Sequence, residues 1–299
     1  MTSVLVILWG AVVRVTGSGA GCADHWPLCN GEFVPHSPGA ATLIELTHRV
    51  TSSLAGLLSV VVFLLSRRHF ERGSQVRRAA LWGLGLMLLE GAIGALLVKR
   101  GWVAKDASEA RALVVALHLC NTFLLLGAQV ATVQLARQPA VLCFRGLGSM
   151  PWLLGGALGL LLTLGATGAV TALGDTLFPA ASLAQGVAHD FSVGAHFLVR
   201  LRLWHPVLAV LVGGLVVYLA EHVRATSLSP GTLRWARLVT WAYVAQVALG
   251  LLNLLLLAPA AVQISHLLLA DLTWIALVQL CMAVLSSGGE PHARQYAAL

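Results

Sequence analysis

The sequence predicts an all-α integral membrane protein in which eight transmembrane helices form two pseudo-symmetric four-helix bundles. Composition points there first: of 299 residues, 58% are hydrophobic and only 10% charged, with a mean hydropathy of +0.84, whereas a soluble domain carries about 25% charged residues. The apolar residues also gather in runs long enough to cross a bilayer. Finally, histidine- and glycine-bearing motifs recur in the same order in the two halves of the chain, as an internal repeat requires.

A hydrocarbon core about 30 Å thick takes roughly 20 apolar helical residues to cross. Seven segments meet that length: Ile44 to Leu65, Ala79 to Val98, Leu113 to Leu135, Pro151 to Val170, Leu203 to Ala220, Leu238 to Ala258 and Val262 to Leu285. The opening segment, Val4 to Val13, is apolar for only ten residues before Arg14, and it counts as the first span with the least defined ends. A signal peptide is the competing reading, but the segment lacks a basic n-region and no clear cleavage site follows.

Loop charge sets the orientation, because Lys and Arg favour the cytoplasmic side. Arg67, Arg68, Arg72, Arg77 and Arg78 follow the second span, Arg137 and Arg145 the fourth, and Arg224, Arg234 and Arg237 the sixth. On the opposite side Lys99, Arg100, Lys105 and Arg111 are diluted by Asp106 and Glu109. Both termini are therefore expected in the cytoplasm. The net charge of +7 and pI near 9.7 reflect this membrane orientation, and no nucleic-acid partner is expected. Cys22 and Cys29 share an external polar loop, the compartment where a disulfide persists, while Cys120, Cys143 and Cys281 are scattered.

The repeat divides the chain into residues 1–145 and 146–299. Span two carries Glu45, His48 and Arg49, and span six carries Arg202 and His205, its histidine 157 residues later. Span three reads Glu90-Gly-Ala-Ile-Gly94 and span seven, 156 residues on, Gln246-Val-Ala-Leu-Gly250. Span four carries His118 and span eight, 148 residues on, His266.

Ionisable residues inside spans are costly and usually functional. His48, His118, His205 and His266 each stand near the outer end of an inward-running helix and so form one layer. Within each half the two histidines come from alternate helices, the way bundles build sites between facing helices. Two imidazoles are a poor zinc site but complete the axial positions of haem iron. Arg14, Arg49, Arg200 and Arg202 stand at the same depth and could pair with haem propionates. Of the remaining histidines, His25 and His36 fall in the external loop, His69, His222 and His292 on the cytoplasmic side, and His189 and His196 before span six.

The halves differ three residues before the first histidine of each pair, where Glu45 answers Arg202. Residues at i and i+3 share a helix face, so Glu45 is expected to look into the cavity of His48. A carboxylate there can exchange a proton or stabilise developing positive charge. An arginine can only fix an anion. Neutralisation of Arg49 or capping of the helix start are the alternative roles for Glu45. Glu90, mid-span in helix three with Gln246 as its repeat partner, reads as a structural hydrogen-bonding group.

These residues resemble the haem A synthase (CtaA/Cox15) family over essentially the whole length. The resemblance rests on Val13-Arg14-Val15-Thr16-Gly17-Ser18-Gly19-Ala20-Gly21-Cys22, Trp26-Pro27-Leu28-Cys29-Asn30-Gly31, Glu45-Leu-Thr-His48-Arg49, Gly174-Asp175-Thr176-Leu177-Phe178-Pro179, and the helices bearing His118, His205 and His266. It implies an oxidoreductase of a bacterial plasma membrane that oxidises the C8 methyl of haem O to a formyl group through successive hydroxylations, with water as oxygen source. It further implies a resident haem b on His205 and His266 near Arg202. The substrate haem would lie on His48 and His118 near Arg49, with Glu45 as catalytic acid and Cys22–Cys29 as a disulfide. Implied partners are haem O synthase, an electron acceptor and a second copy of the chain. The short first span and the extra His25 depart from the pattern. The competing functions are a di-haem b cytochrome that relays electrons without a substrate of its own, and a transporter or assembly scaffold that binds no haem.

Overall fold

The computed structural model describes residues 1–138, 142, 144 and 146–287. Cys143, Arg145 and His292 lie outside the described residues, as does the expected division point at residue 145. Ten α-helices are formed among the described residues: α1 (Thr2–Val15), α2 (Ala40–His69), α3 (Gln75–Lys99), α4 (Glu109–Arg137), α5 (Met150–Leu177), α6 (Leu183–Asp190), α7 (Phe197–Leu201), α8 (Trp204–Thr226), α9 (Pro230–Leu255) and α10 (Ala260–Ser287).

Among the described residues seven segments are long and apolar enough to cross a membrane, α7 and α8 being counted together, and the expected eighth is a shorter apolar helix. The exception is α1, whose 14 residues reach about 21 Å at 1.5 Å per residue. Gly17, in the left-handed region at φ 67°, turns the chain out of α1 into the short 3-10 turn Ser18–Ala20. Before α8 the chain forms two short helices, α6 and α7.

Local signals explain the helix ends. Ser74 and Ser108 cap α3 and α4 by accepting the backbone N–H of Arg77 and Arg111, the preferred role of serine at this position. At the far end of α3, Gly101 adopts φ 67°, and the N–H groups of Gly101 and Trp102 return to the carbonyls of Val98 and Leu97. That pairing is the Schellman stop, for which glycine is preferred.

The helices pack mainly on their chain neighbours, with cross-contacts of α5 to α8 and of α10 to α1, α4 and α5. The apolar window of α10 is 56% buried inside the protein and that of α3 only 6%, so α10 is the central helix and α3 is peripheral. The main core gathers residues of α4, α5, α8, α9 and α10, including Phe123, Leu161, Val216, Val239, Trp274 and Leu280. It lies further along α8 and α10 than His205 and His266. The histidine layer is thus seated on a packed base.

Candidate functional site

His205 on α8 and His266 on α10 meet face to edge, with ring centroids 6.5 Å apart and planes at 86°. Two imidazoles on opposite sides of one metal ion, each nitrogen about 2 Å from it, place their centroids roughly 6 Å apart, so the observed separation fits such a centre. His205 Nδ1 lies 3.1 Å from Thr167 Oγ1, and Gln246 Nε2 lies 3.2 Å from His266 Nε2. His266 Nδ1 is buried without a hydrogen-bond partner. Among the described residues no group of three or more His, Cys, Asp or Glu could hold a metal ion. A donor set of two imidazoles fits the axial positions of a haem iron.

Glycine makes room for three of the four rings. A Cβ placed on Gly168 of α5 would lie 3.0 Å from His205 Cε1, one on Gly250 of α9 3.0 Å from His266 Cε1, and one on Gly10 of α1 3.1 Å from His48 Cε1. Gly10 and Gly168 stand 158 residues apart, close to the spacing of the histidines they back.

The other pair is held differently. His48 Nδ1 is buried without a hydrogen-bond partner. His118 Nδ1 stands 3.3 Å from Glu90 Oε1 without hydrogen-bond alignment. Glu90 also accepts hydrogen bonds from Asn121 Nδ2 and Thr122 Oγ1, which agrees with its reading as a structural group. No ring packs on Gly94, the repeat counterpart of Gly250, since nothing lies within 4 Å of its would-be Cβ.

Glu45 is buried and fully engaged. Its Oε2 accepts the Cys22 N–H at 2.8 Å, and its Oε1 accepts from Arg49 Nε at 3.1 Å and Nη2 at 2.5 Å. Arg49 Nη1 in turn donates to the carbonyls of His25 and Leu28. The carboxylate therefore pairs with Arg49, the first of its alternative roles, while Gly39 occupies the N-cap position of α2. Cys22 and Cys29 are joined by a disulfide, their Cα atoms 4.4 Å apart, and both are buried. The loop closes through a two-residue turn at Asn30 and Gly31, both at positive φ, with paired hydrogen bonds between Cys29 and Glu32, as Asn-Gly favours. Gly21 lets this loop press on the start of α2, since a Cβ there would collide with the Ala41 carbonyl.

The arginines are mostly committed to protein groups. Arg202 pairs with Asp190 at 2.5 Å and Asp175 at 3.4 Å, tying the ends of α5 and α6 to the end of α7. Arg14 donates to Ala172 O, Thr176 Oγ1 and Gln263 Oε1. Arg200 is exposed and lines an open cleft of about 400 Å³ with Phe191, Phe197 and Trp204. Sequence reasoning also passed over Asp271 on α10, which is fully buried with neither carboxyl oxygen hydrogen-bonded. An acid in mid-span is signal enough to single it out.

Residues 1–278 match the family described as "Cytochrome oxidase assembly protein", COX15-CtaA. Two strains of Thermus thermophilus have proteins called "Protoheme IX farnesyltransferase" that are 46% identical over 291 residues, or 96% of this chain. The chain spans about half (47%) of their length. Proteins called "Heme A synthase" from Bacillus cereus AH187 and Bacillus anthracis CDC 684 are 40% identical over 97 residues, covering 32% of this chain and 31% of each relative.

Proposed function

Because the chain belongs to the COX15-CtaA family of cytochrome oxidase assembly proteins, we propose that it is a haem A synthase, oxidising the C8 methyl of haem O to a formyl group by successive hydroxylations with water as oxygen source. The observation that carries this reading is the pair of unequal histidine sites. His205 and His266, backed by Gly168 and Gly250 and oriented by Thr167 and Gln246, hold a resident haem b. That group supplies one-electron redox chemistry when bound. His48 and His118 receive the substrate haem, and both termini face the cytoplasm.

Glu45 is the proposed catalytic acid, one helical turn from His48. Its hydrogen bonds to Cys22 N and Arg49 fix its orientation and tie it to the disulfide-closed loop. Substrate binding by Arg49 and cofactor binding by Arg202 belong to the same reading, Arg49 acting from its place between Glu45 and the loop carbonyls. The two-half organisation, with four helices to each site, supports a division between substrate and cofactor.

The name carried by the Thermus relatives describes farnesylation of protohaem, the reaction class that yields a farnesyl-bearing haem. These proteins are about twice as long as this chain, which makes an enzyme of that class the proposed partner supplying substrate. The oxidation also requires an electron acceptor.

The test replaces Glu45 with Ala and with Gln in the full chain, supplies haem O, and separates the extracted haems by chromatography. Glu45→Ala is expected to abolish haem A formation while the resident haem stays bound, with Glu45→Gln also impaired. A normal haem A yield from Glu45→Ala would reject the assignment.

A further inference from the structure

Near the histidine layer the side chain of Arg14 reaches from one half of the chain into the other. Arg14 on α1 donates from Nη1 to Ala172 O at 2.7 Å and Thr176 Oγ1 at 2.6 Å, both on α5. From Nη2 it donates to Gln263 Oε1 on α10 at 3.0 Å. Gln263 is itself anchored, its Nε2 donating to Ala258 O at 2.6 Å.

Each contact lies one or two turns from a residue that sets a histidine. Gly10, one turn before Arg14, backs His48, and Gly168, one turn before Ala172, backs His205. Gln263 precedes His266 by three residues and shares its helix face. The planar guanidinium fork thus bridges α5 and α10, the helices that back and carry the His205–His266 pair, from a helix of the other half.

We propose that Arg14 is a positioning residue that fixes the spacing of α5 and α10, so that the helix backing His48 sets the axial geometry of the His205–His266 centre. This rests on the reading that those two histidines hold a haem. Axial ligand geometry and its hydrogen-bonded surroundings are levers on a haem potential. Lysine, a single point donor on a flexible stem, cannot reproduce a fork that reaches three acceptors on two helices.

The experiment uses full-length protein purified with its haem, comparing the natural chain with Arg14→Gln, Arg14→Lys, Thr176→Val and Gln263→Ala. The readouts are haem per folded protein, the low-spin electron paramagnetic resonance signal and the midpoint potential by spectroelectrochemical titration. Arg14→Gln is expected to lower occupancy and shift both signal and potential, with partial return in Arg14→Lys. Thr176→Val and Gln263→Ala each remove one acceptor and give smaller shifts in the same direction.

Unchanged signal and potential in folded Arg14→Gln, or a lower yield of protein with natural spectra, would overturn the proposal. If Arg14→Gln does not fold, natural potentials in both Thr176→Val and Gln263→Ala overturn it instead. Absence of haem from the natural chain would show that the underlying haem assignment had failed, and the proposal with it.

Discussion

Around His205 and His266 the helices α5, α8, α9 and α10 touch in a closed circuit, whereas around His48 and His118 the equivalent circuit lacks substantial contact between α1 and α4. There α10 packs on both helices and stands across the break. The glycine seats follow the same division, with both rings of the closed set backed by glycine but only His48 in the open set. The position three residues before the first histidine differs as well: half-buried Arg202 pairs with Asp175 and Asp190 at the ends of α5 and α6, while buried Glu45 pairs with Arg49. A tightly enclosed site suits a permanent cofactor and a less enclosed one suits a molecule that must enter and leave.

The largest expected effect comes from breaking the closed half. His205→Ala or His266→Ala should remove the proposed resident haem almost completely, measured as haem per protein by the pyridine haemochrome method, while His48→Ala and His118→Ala should leave it in place. Equal loss from all four variants would erase the distinction between the sites.

A smaller effect is expected from the seats. Gly168→Leu and Gly250→Leu put side chains where even a Cβ would stand 3.0 Å from a histidine ring, and overpacking of this kind costs about 1–3 kcal/mol. Both should lower haem occupancy and midpoint melting temperature. Gly94→Ala, with nothing within 4 Å of its Cβ, should change neither. Sensitivity at Gly94 equal to that at Gly250 would contradict the difference in seating.

Much of this organisation was legible in the sequence. The long spans follow from apolar runs, and the ends of α3 follow from Ser74 and Gly101. The histidines were found because ionisable groups are rare in such helices. What escaped had weaker local signals. The two helices before α8 are only 8 and 5 residues long, too short for periodicity to mark. Gly10 and Gly168 are indistinguishable in sequence from other glycines of glycine-rich helices, since their role lies in a neighbouring ring. The direction of Glu45 depended on the fold of the Cys22–Cys29 loop, which no helical face analysis contains. Arg14 joins residues more than 150 positions away, a contact that only the packing of α1 on α5 and α10 creates.

The smallest effect on the His205–His266 pair is expected from that loop. Cys22→Ser opens a ring with sequence separation of 7, for which loop closure contributes about 2–3 kcal/mol. Because the loop meets α2 through Glu45 and Thr42, the loss should appear as faster backbone hydrogen exchange around Cys22 and a lower haem A yield, with the His205–His266 haem unaffected. An equal disturbance of that haem would mean that the halves are not separable in this way.

The division into a substrate site and a cofactor site shows in the number and identity of haems in the purified natural protein after supply of haem O. It predicts haem b retained on His205 and His266, together with haem O or haem A at the second site. Two equivalent haems b, with no haem O or haem A, would contradict it and favour the electron-relay cytochrome; no haem at all would contradict both.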